Sequence, residues 1–384
     1  MWWALAVMST VLCSAHAEEP LPTGRSTLEL DGLRAGLIID AIERVGGEPN
    51  AAYFRKRAES PDDPMPYSDE IGKPTYAVDV PDDYDPRVGA GVFVWISASD
   101  HSGQAALWDD LLSEMQIISI SPANAGNHRK TTWRVAAAVG AVEALSDRMN
   151  IDRDRVYIGG FSGGARVATV TAMLYPEIFA GAFPTGGANH YQNIPNEKGD
   201  GRIAIGVDVP RDSLRLMRDR GRYVYFVGSE DFNRYQVKYV FQEQQREGFR
   251  VHYIEEPGLG HKTPGDEAFT EGIRFLDAPL KEAAAGAYEK GIKSYEANRL
   301  DAAYEPLMRA ARHGDDAHRD DAATKASEIK KRYAADVAAI ETQIDAGEPR
   351  DAARALNELR SDWRTLIGDD FERLREAIRD SRKP

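Results

Sequence analysis

Between Thr75 and Asp277, short β-rich runs alternate with longer amphipathic ones, and this alternation constrains the chain more than any other feature. The β-rich runs are Tyr76–Val80, Val92–Ile96, Ile117–Ile120, Val156–Gly159, Gly181–Pro184, Tyr223–Val227 and Val251–Ile254. Helical runs fall between them near 105–114, 131–149, 163–175, 234–247 and 266–277. Parallel strands need a crossover connection and a helix is the usual one, so the pattern predicts an α/β fold with a mostly parallel sheet. From Val92 onward the strands are nearly continuous in apolar residues. A strand covered by helices on both faces has no wet side and no reason to alternate.

The flanks differ in kind. Residues 18–74 form an acidic, proline-containing lead-in with one helical patch, Leu33 to Val45, and a linker-like Ser60-Pro61-Asp62-Asp63-Pro64-Met65-Pro66. Beyond about residue 279, glycine, proline and β-branched residues thin out, and Ala, Glu, Arg, Lys and Leu take over with helical spacing. Four or five helices are expected there, broken near His313-Gly314, Ala346-Gly347-Glu348-Pro349 and Gly368. The run Ala287–Leu307 loosely resembles one tetratricopeptide-type helix pair through Tyr288, Gly291, Tyr295, Leu300, Ala303 and Tyr304. Such repeats are stable when stacked, so a single copy is equally consistent with a plain helical appendage. A chain of 384 residues suits two domains. The expected division is a leader at 1–17, the lead-in at 18–74, an α/β domain at 75–278 and a helical C-terminal region at 279–384.

Residues Trp2 to Leu12 are apolar, and Ala15-His16-Ala17 is a small-x-small cleavage pattern. An apolar stretch of about 11 residues suits a signal peptide and falls short of the roughly 20 needed to span a bilayer. A secreted or periplasmic protein is expected, with no membrane span. The single cysteine, Cys13, lies in that leader, so no disulfide, thiol nucleophile or cysteine metal site is expected in the mature chain. With 48 Lys and Arg against 62 Asp and Glu, the net charge of −14 argues against nucleic acid as the main partner.

The segment Gly159-Gly160-Phe161-Ser162-Gly163-Gly164 contains Gly-x-Ser-x-Gly between a β-rich run and a small-residue helical run. That setting is what a nucleophile elbow requires. A serine in so tight a turn needs glycine on both sides, because a Cβ there meets backbone. Ser162 then stands at a helix N-terminus, where free N–H groups and the helix dipole favour negative charge.

A serine hydroxyl needs a base, and the base an orienting acid. With a nucleophile elbow the chain order is serine, acid, histidine. After Ser162, histidines occur at 190, 252, 261, 313 and 318. His313 and His318 fall in the helical tail and His252 inside a β-rich run. His261 stands in a glycine-rich loop, Pro257-Gly258-Leu259-Gly260-His261, and is the expected base; His190 is a candidate for the pocket wall. For the acid, the loop after Tyr223–Val227 offers Asp231, with Glu230 and then Asp208 behind it.

Together these residues resemble the α/β-hydrolase superfamily, in particular its polyhydroxybutyrate depolymerase-like, feruloyl esterase-like and prolyl-oligopeptidase-like branch. The resemblance rests on Ile151-Asp152-Arg153-Asp154-Arg155-Val156-Tyr157 leading into Gly160-Phe161-Ser162-Gly163-Gly164. It continues through Tyr175-Pro176-Glu177-Ile178-Phe179-Ala180-Gly181-Ala182, then Gly228 with Asp231, then Gly260-His261. It covers a little over half the chain and implies a catalytic Ser162, Asp231 and His261, with the amide of Gly163 as first oxyanion donor. Family members usually carry a His-Gly step where this chain has Ser97-Ala98-Ser99-Asp100. The second donor is therefore left open between Ser97, Ala98 and neither.

Asp100, His101, Trp108, His128 and Trp133 fall in or near loops at the expected active end and are read as ordinary loop and core positions or as pocket walls. Asp79, Asp82, Asp83 and Asp85 are read as a solvated acidic loop, since EF-hand spacing is absent. No His-Glu-x-x-His or phosphate-loop pattern occurs, so no metal or cofactor is expected. The expected function is an exported serine hydrolase cleaving carboxylic esters: small molecules, polyester oligomers or acylated polysaccharides. The rival readings are a serine peptidase of prolyl-oligopeptidase type and a non-catalytic scaffold that meets a protein partner through the helical tail.

Overall fold

In the strand Ala90–Ile96 every residue is buried, yet its side chains go to two separate cores. Val92, Val94 and Ile96 join one, Phe93 and Trp95 the other. The same split recurs along Ile151–Phe161, where Val156 and Ile158 oppose Tyr157, and along Arg222–Gly228, where Tyr223, Tyr225 and Val227 oppose Val224 and Phe226. Successive strand side chains point to opposite faces, so a sheet dry on both sides needs unbroken apolar runs.

The computed structural model describes residues 19–30, 33, 35–46, 74–101, 107–314, 316–368 and 370–381. The leader and the 60–66 linker lie outside the described residues. In chain order the elements are β1 (Gly24–Glu29), α1 (Ala35–Gly46), β2 (Thr75–Val80), β3 (Ala90–Ile96), α2 (Asp109–Glu114), β4 (Ile117–Pro122), α3 (Thr131–Ser146), β5 (Ile151–Phe161), α4 (Gly163–Leu174), β6 (Gly181–Thr185), the short pair β7 (Ile194–Pro195) and β8 (Arg202–Ile203), α5 (Arg211–Arg220), β9 (Arg222–Gly228), α6 (Arg234–Arg246), β10 (Arg250–Glu256) and α7 (Asp266–Leu276). Five further helices follow: α8 (Ala278–Glu296), α9 (Leu300–His313), α10 (Asp316–Asp345), α11 (Pro349–Asp362) and α12 (Asp370–Asp380).

The main sheet runs β1-β2-β4-β3-β5-β6-β9-β10. Strand β2 is antiparallel to both neighbours, and all other pairs are parallel. Helices α3 and α4 contribute to the first core, α2 and α7 to the second. In the second core Phe269 stacks on Trp108 at 4.2 Å. This order, with helices on both faces, is the α/β-hydrolase fold, and it brings the carboxyl ends of β3, β5, β6, β9 and β10 to one edge, where open α/β sheets place their sites.

All seven expected strands are present. The lead-in adds β1, which the sequence did not announce because Leu28 alone of its six residues is buried. Helix α5 was missed for the same reason, with Met217 its one buried residue. The expected helical patch at Leu33 to Val45 is α1.

The five C-terminal helices share a third core that includes Leu307, Ile329, Tyr333, Leu356 and Leu374. A Cβ at Gly291 of α8 would come 2.8 Å from Leu307 of α9, so that glycine sets how closely the two helices pack.

The acidic-loop reading needs correction at Asp85. Asp82 and Asp83 are exposed, but Asp85 is buried and holds the helical region to the sheet. Tyr304 of α9 donates its hydroxyl to Asp85 Oδ2 at 2.6 Å, and Arg87 donates to both carboxylate oxygens. Burial opposes the charge, yet the bonds from Arg87 and Tyr304 win and hold the Asp85 carboxyl at about 2. A carboxyl lowered on folding stabilises the native state above its unfolded value, about 3.9, and that stabilisation fades as pH falls towards 2. Tyr304→Phe is therefore expected to lower stability by about 1.5–3 kcal/mol at pH 6, a typical worth for a hydrogen bond to a charged group. In urea melts the gap from wild type should close near pH 2; an unchanged gap there would show that the Asp85 charge is not its source.

Candidate active site

Strand β5 delivers Phe161 into a turn in which Ser162 adopts φ 56°, ψ −114°, and α4 starts at the next residue. A positive φ is strained for any residue with a Cβ, by about 1–3 kcal/mol, and persists only when the surroundings impose it. Here they do. Ser162 N donates to Thr185 O at 2.9 Å, Thr185 Oγ1 to Gly160 O at 2.9 Å, and Arg166 N to Ser162 O at 3.2 Å. Close packing explains the flanking glycines. A Cβ at Gly160 would come 2.6 Å from Ile96 O, and one at Gly164 would collide with that same carbonyl. Ser162 occupies the N-cap position of α4, but its side chain makes no capping hydrogen bond. The hydroxyl that would ordinarily cap the helix is left for other chemistry.

Two loops at the same edge carry the acid and the base, and backbone bonds zip them together. Ser229 N donates to Glu256 O at 2.9 Å and Glu230 N to Leu259 O at 2.9 Å, while Gly258 N donates to Ser229 Oγ at 2.8 Å. Gly228 allows this closeness, since a Cβ there would collide with Leu259 O. As a result His261 Nδ1 lies 2.8 Å from Asp231 Oδ2. The Asp231 side chain is fully buried and that of His261 is 22% exposed, so the acid is shielded while the imidazole keeps access to solvent. The other acid candidates do not meet this histidine: Glu230 is exposed, and neither it nor Asp208 is bonded to His261 among the described residues.

The imidazole is also held by rings. His261 packs against Phe161, the residue before Ser162, at 4.6 Å and against Phe232, the residue after Asp231, at 4.4 Å. Phe232 is itself 77% exposed, an apolar rim beside the site. Gly186 marks where the parts meet. At φ +64° it sits so that a Cβ would lie 3.1 Å from Asp231 Oδ2, 3.1 Å from the Phe161 ring and 3.2 Å from His261 Cε1.

Asp231 has support that the sequence reading missed. Its Oδ1 accepts the Asn233 amide at 2.7 Å, and Asn233 Nδ2 donates to Gly186 O at 2.9 Å. Arg166, one turn into α4, donates Nη2 to Asn233 Oδ1 at 3.2 Å and to Gln236 Oε1 at 2.6 Å. The elbow helix and the acid loop are thus joined by Arg166 and Asn233. The available signals were the position of Asn233 two residues after Asp231, where an Asx turn forms, and that of Arg166 four after Ser162.

At the oxyanion side, Ser97 is buried and its carbonyl accepts Arg134 Nη2 at 2.9 Å. Burial lowers the Arg134 guanidinium to about 10. Ser97 Oγ lies 3.0 Å from Ser99 Oγ and accepts the Ser99 amide at 3.1 Å. The Ala98 carbonyl accepts the Asn127 amide at 2.9 Å, and among the described residues the Ala98 amide has no acceptor. The Gly163 amide belongs to the open first turn of α4.

The remaining candidates have surroundings of their own. Trp108 and Trp133 are buried, and Trp108 belongs to the second core. Asp100 binds the Gly126 amide at 3.1 Å and lies 3.3 Å from His128 Nε2, while His101 is exposed. His190 is buried, and burial pushes its pKa down; its Nδ1 accepts the Gln192 amide at 3.2 Å. His252 pairs with Glu271 at 2.6 Å, and His318 packs on Tyr288 at 4.3 Å. Among the described residues no group of three or more metal-ligating side chains occurs, and no helix is long and apolar enough to cross a membrane. A cleft of about 360 Å³ adjoins Asp231 and Phe232 and is lined by Tyr235, Lys238 and Tyr239 among others.

No family model matches the chain. A stretch of 46 residues is 46% identical to poly(3-hydroxyalkanoate) depolymerase C of Paucimonas lemoignei, covering 12% of this chain and 11% of that protein. Similar solved structures include a Pyrobaculum calidifontis esterase (13% identical, TM-score 0.44, 68% of this chain and 87% of that one) and a thermostable esterase (18%, 0.40, 54% and 59%). A ferulic acid esterase is also similar (16%, 0.40, 52% and 88%). The fold assignment itself rests on the strand order and the elbow.

Proposed function

We propose that this protein is an exported serine hydrolase of carboxylic esters acting through Ser162, His261 and Asp231. The observation that carries the reading is the histidine–carboxylate pair at 2.8 Å, packed on Phe161, the residue that precedes a serine held at positive φ. Ser162 Oγ attacks the ester carbonyl while His261 Nε2 takes its proton. Asp231 keeps the proton of the neutral imidazole on Nδ1 and stabilises the imidazolium that forms. The Gly163 amide faces the negative charge that develops on the carbonyl oxygen. His261 then protonates the leaving alcohol, and water, deprotonated by the same imidazole, cleaves the acyl-enzyme. Export rests on the leader pattern ending Ala15-His16-Ala17.

The short depolymerase match and the exposed ring of Phe232 favour hydroxyalkanoate-type esters among the substrate classes. A fluorophosphonate probe should label the wild-type protein, and Ser162→Ala should abolish labelling. An unlabelled wild type would remove the catalytic reading and leave the non-catalytic scaffold.

A further inference from the structure

The elbow explains two of its glycines and leaves the third, Gly163, unaccounted for. Gly160 and Gly164 make room for the backbone of Ile96, whereas Gly163 is restricted by a side chain. A Cβ at Gly163 would collide with Asn127 Oδ1, with Asn127 Cγ at 2.6 Å and Nδ2 at 2.9 Å. The carboxamide of Asn127 therefore lies directly over the residue after Ser162. Asn127 is exposed, and among the described residues its carboxamide makes no hydrogen bond.

Its backbone is held firmly. Asn127 N donates to Ala98 O at 2.9 Å, Gly126 N to Asp100 Oδ1 at 3.1 Å and Asn124 N to Asp100 O at 2.9 Å. The loop after β4 is thus tied to the loop after β3, the same Ser97–Asp100 segment that departs from the expected His-Gly step. We propose that Asn127 is a catalytic residue whose carboxamide N–H donates to the substrate's carbonyl oxygen in the tetrahedral transition state, beside the amide of Gly163.

The inference rests on the serine-hydrolase reading and deepens it. As Ser162 Oγ bonds to the carbonyl carbon, the π electron pair moves onto oxygen, and the hydroxyl proton goes to His261. That oxygen needs donors close to the amide of Gly163, which is where Asn127 sits. Neither end of the carboxamide is bonded, so a half-turn about its terminal torsion presents Nδ2 without breaking a contact. A neutral amide suits the task, since it stabilises the developing charge yet leaves ground-state binding of the neutral ester nearly unchanged.

With a chromogenic ester, Asn127→Ala should lower kcat about 10²–10³-fold with little change in KM. Asn127→Asp keeps the shape but sets a carboxylate against the developing oxyanion, and should fall below the alanine variant. Both should melt with wild type, because the residue is exposed. Wild-type kcat in Asn127→Ala, a loss confined to KM, or an aspartate variant more active than the alanine one would overturn the assignment. Those outcomes leave the wider reading standing as long as Ser162→Ala is inactive; turnover surviving in Ser162→Ala would overturn the reading itself.

Discussion

In an Asp231→Asn variant, kcat for ester hydrolysis is expected to fall about 10⁴-fold with the fold intact. The local geometry explains why an isosteric change should be so damaging. Asp231 Oδ1 accepts the backbone N–H of Asn233 at 2.7 Å, and an asparagine can keep that bond only with its oxygen. Its NH₂ group then faces His261 Nδ1, where Oδ2 now sits at 2.8 Å. Two donors cannot share that contact, so Nδ1 must become the acceptor and the imidazole proton moves to Nε2. An imidazole protonated there cannot take the proton of Ser162. The measurement is kcat beside a thermal melt. Near-wild-type kcat would mean that His261 is not the base, or that Asp231 does not set its tautomer.

The second large effect concerns the junction of the two regions. Asp277 stands between α7 and α8, with its side chain 15% exposed, and binds Arg155, whose own side chain is 2% exposed. Arg155 Nη2 donates to Asp277 Oδ2 at 2.7 Å and Nε to Oδ1 at 3.2 Å, while Tyr157 Oη donates to Oδ1 at 2.6 Å. Burial opposes the guanidinium charge, and Asp277 outweighs it, so the Arg155 pKa is raised. Asp277→Ala would leave that cation buried, with the Met115 and Gln116 carbonyls as its remaining hydrogen-bond acceptors among the described residues. Removing one partner of a buried pair costs about 3–5 kcal/mol, a large share of the 5–15 kcal/mol that holds a typical domain together. The denaturation midpoint should fall accordingly. Much of the loss should return in Arg155→Met with Asp277→Leu, because an apolar pair leaves no charge unmatched. A single variant as stable as wild type would show that water reaches Arg155.

Much of this architecture was legible in the residues. The strands are written as unbroken apolar runs because both faces of the sheet are dry, and Val92 to Ile96 carries that signal although its side chains divide between two cores. Strand β1 carries no such signal, since an edge strand with one buried residue looks like any polar segment. Asp85 was misread because burial through a partner 219 residues away leaves no local trace.

Local chemistry alone determined the elbow. Glycines around Ser162, placed between a strand and a helix, follow from steric rules that act over a few residues. The order of serine, acid and histidine narrowed the partners to Asp231 and His261. What folding decided is everything that depends on distant loops meeting. The bonding of the β9 and β10 loops brings Asp231 to His261, the bridge of Arg166 and Asn233 ties the acid loop to the elbow helix, and the seat of Asn127 over Gly163 sets the loop after β4 against the start of α4. Residues far apart in sequence become neighbours only through the register of the sheet, and side-chain spacing along one segment does not encode that register.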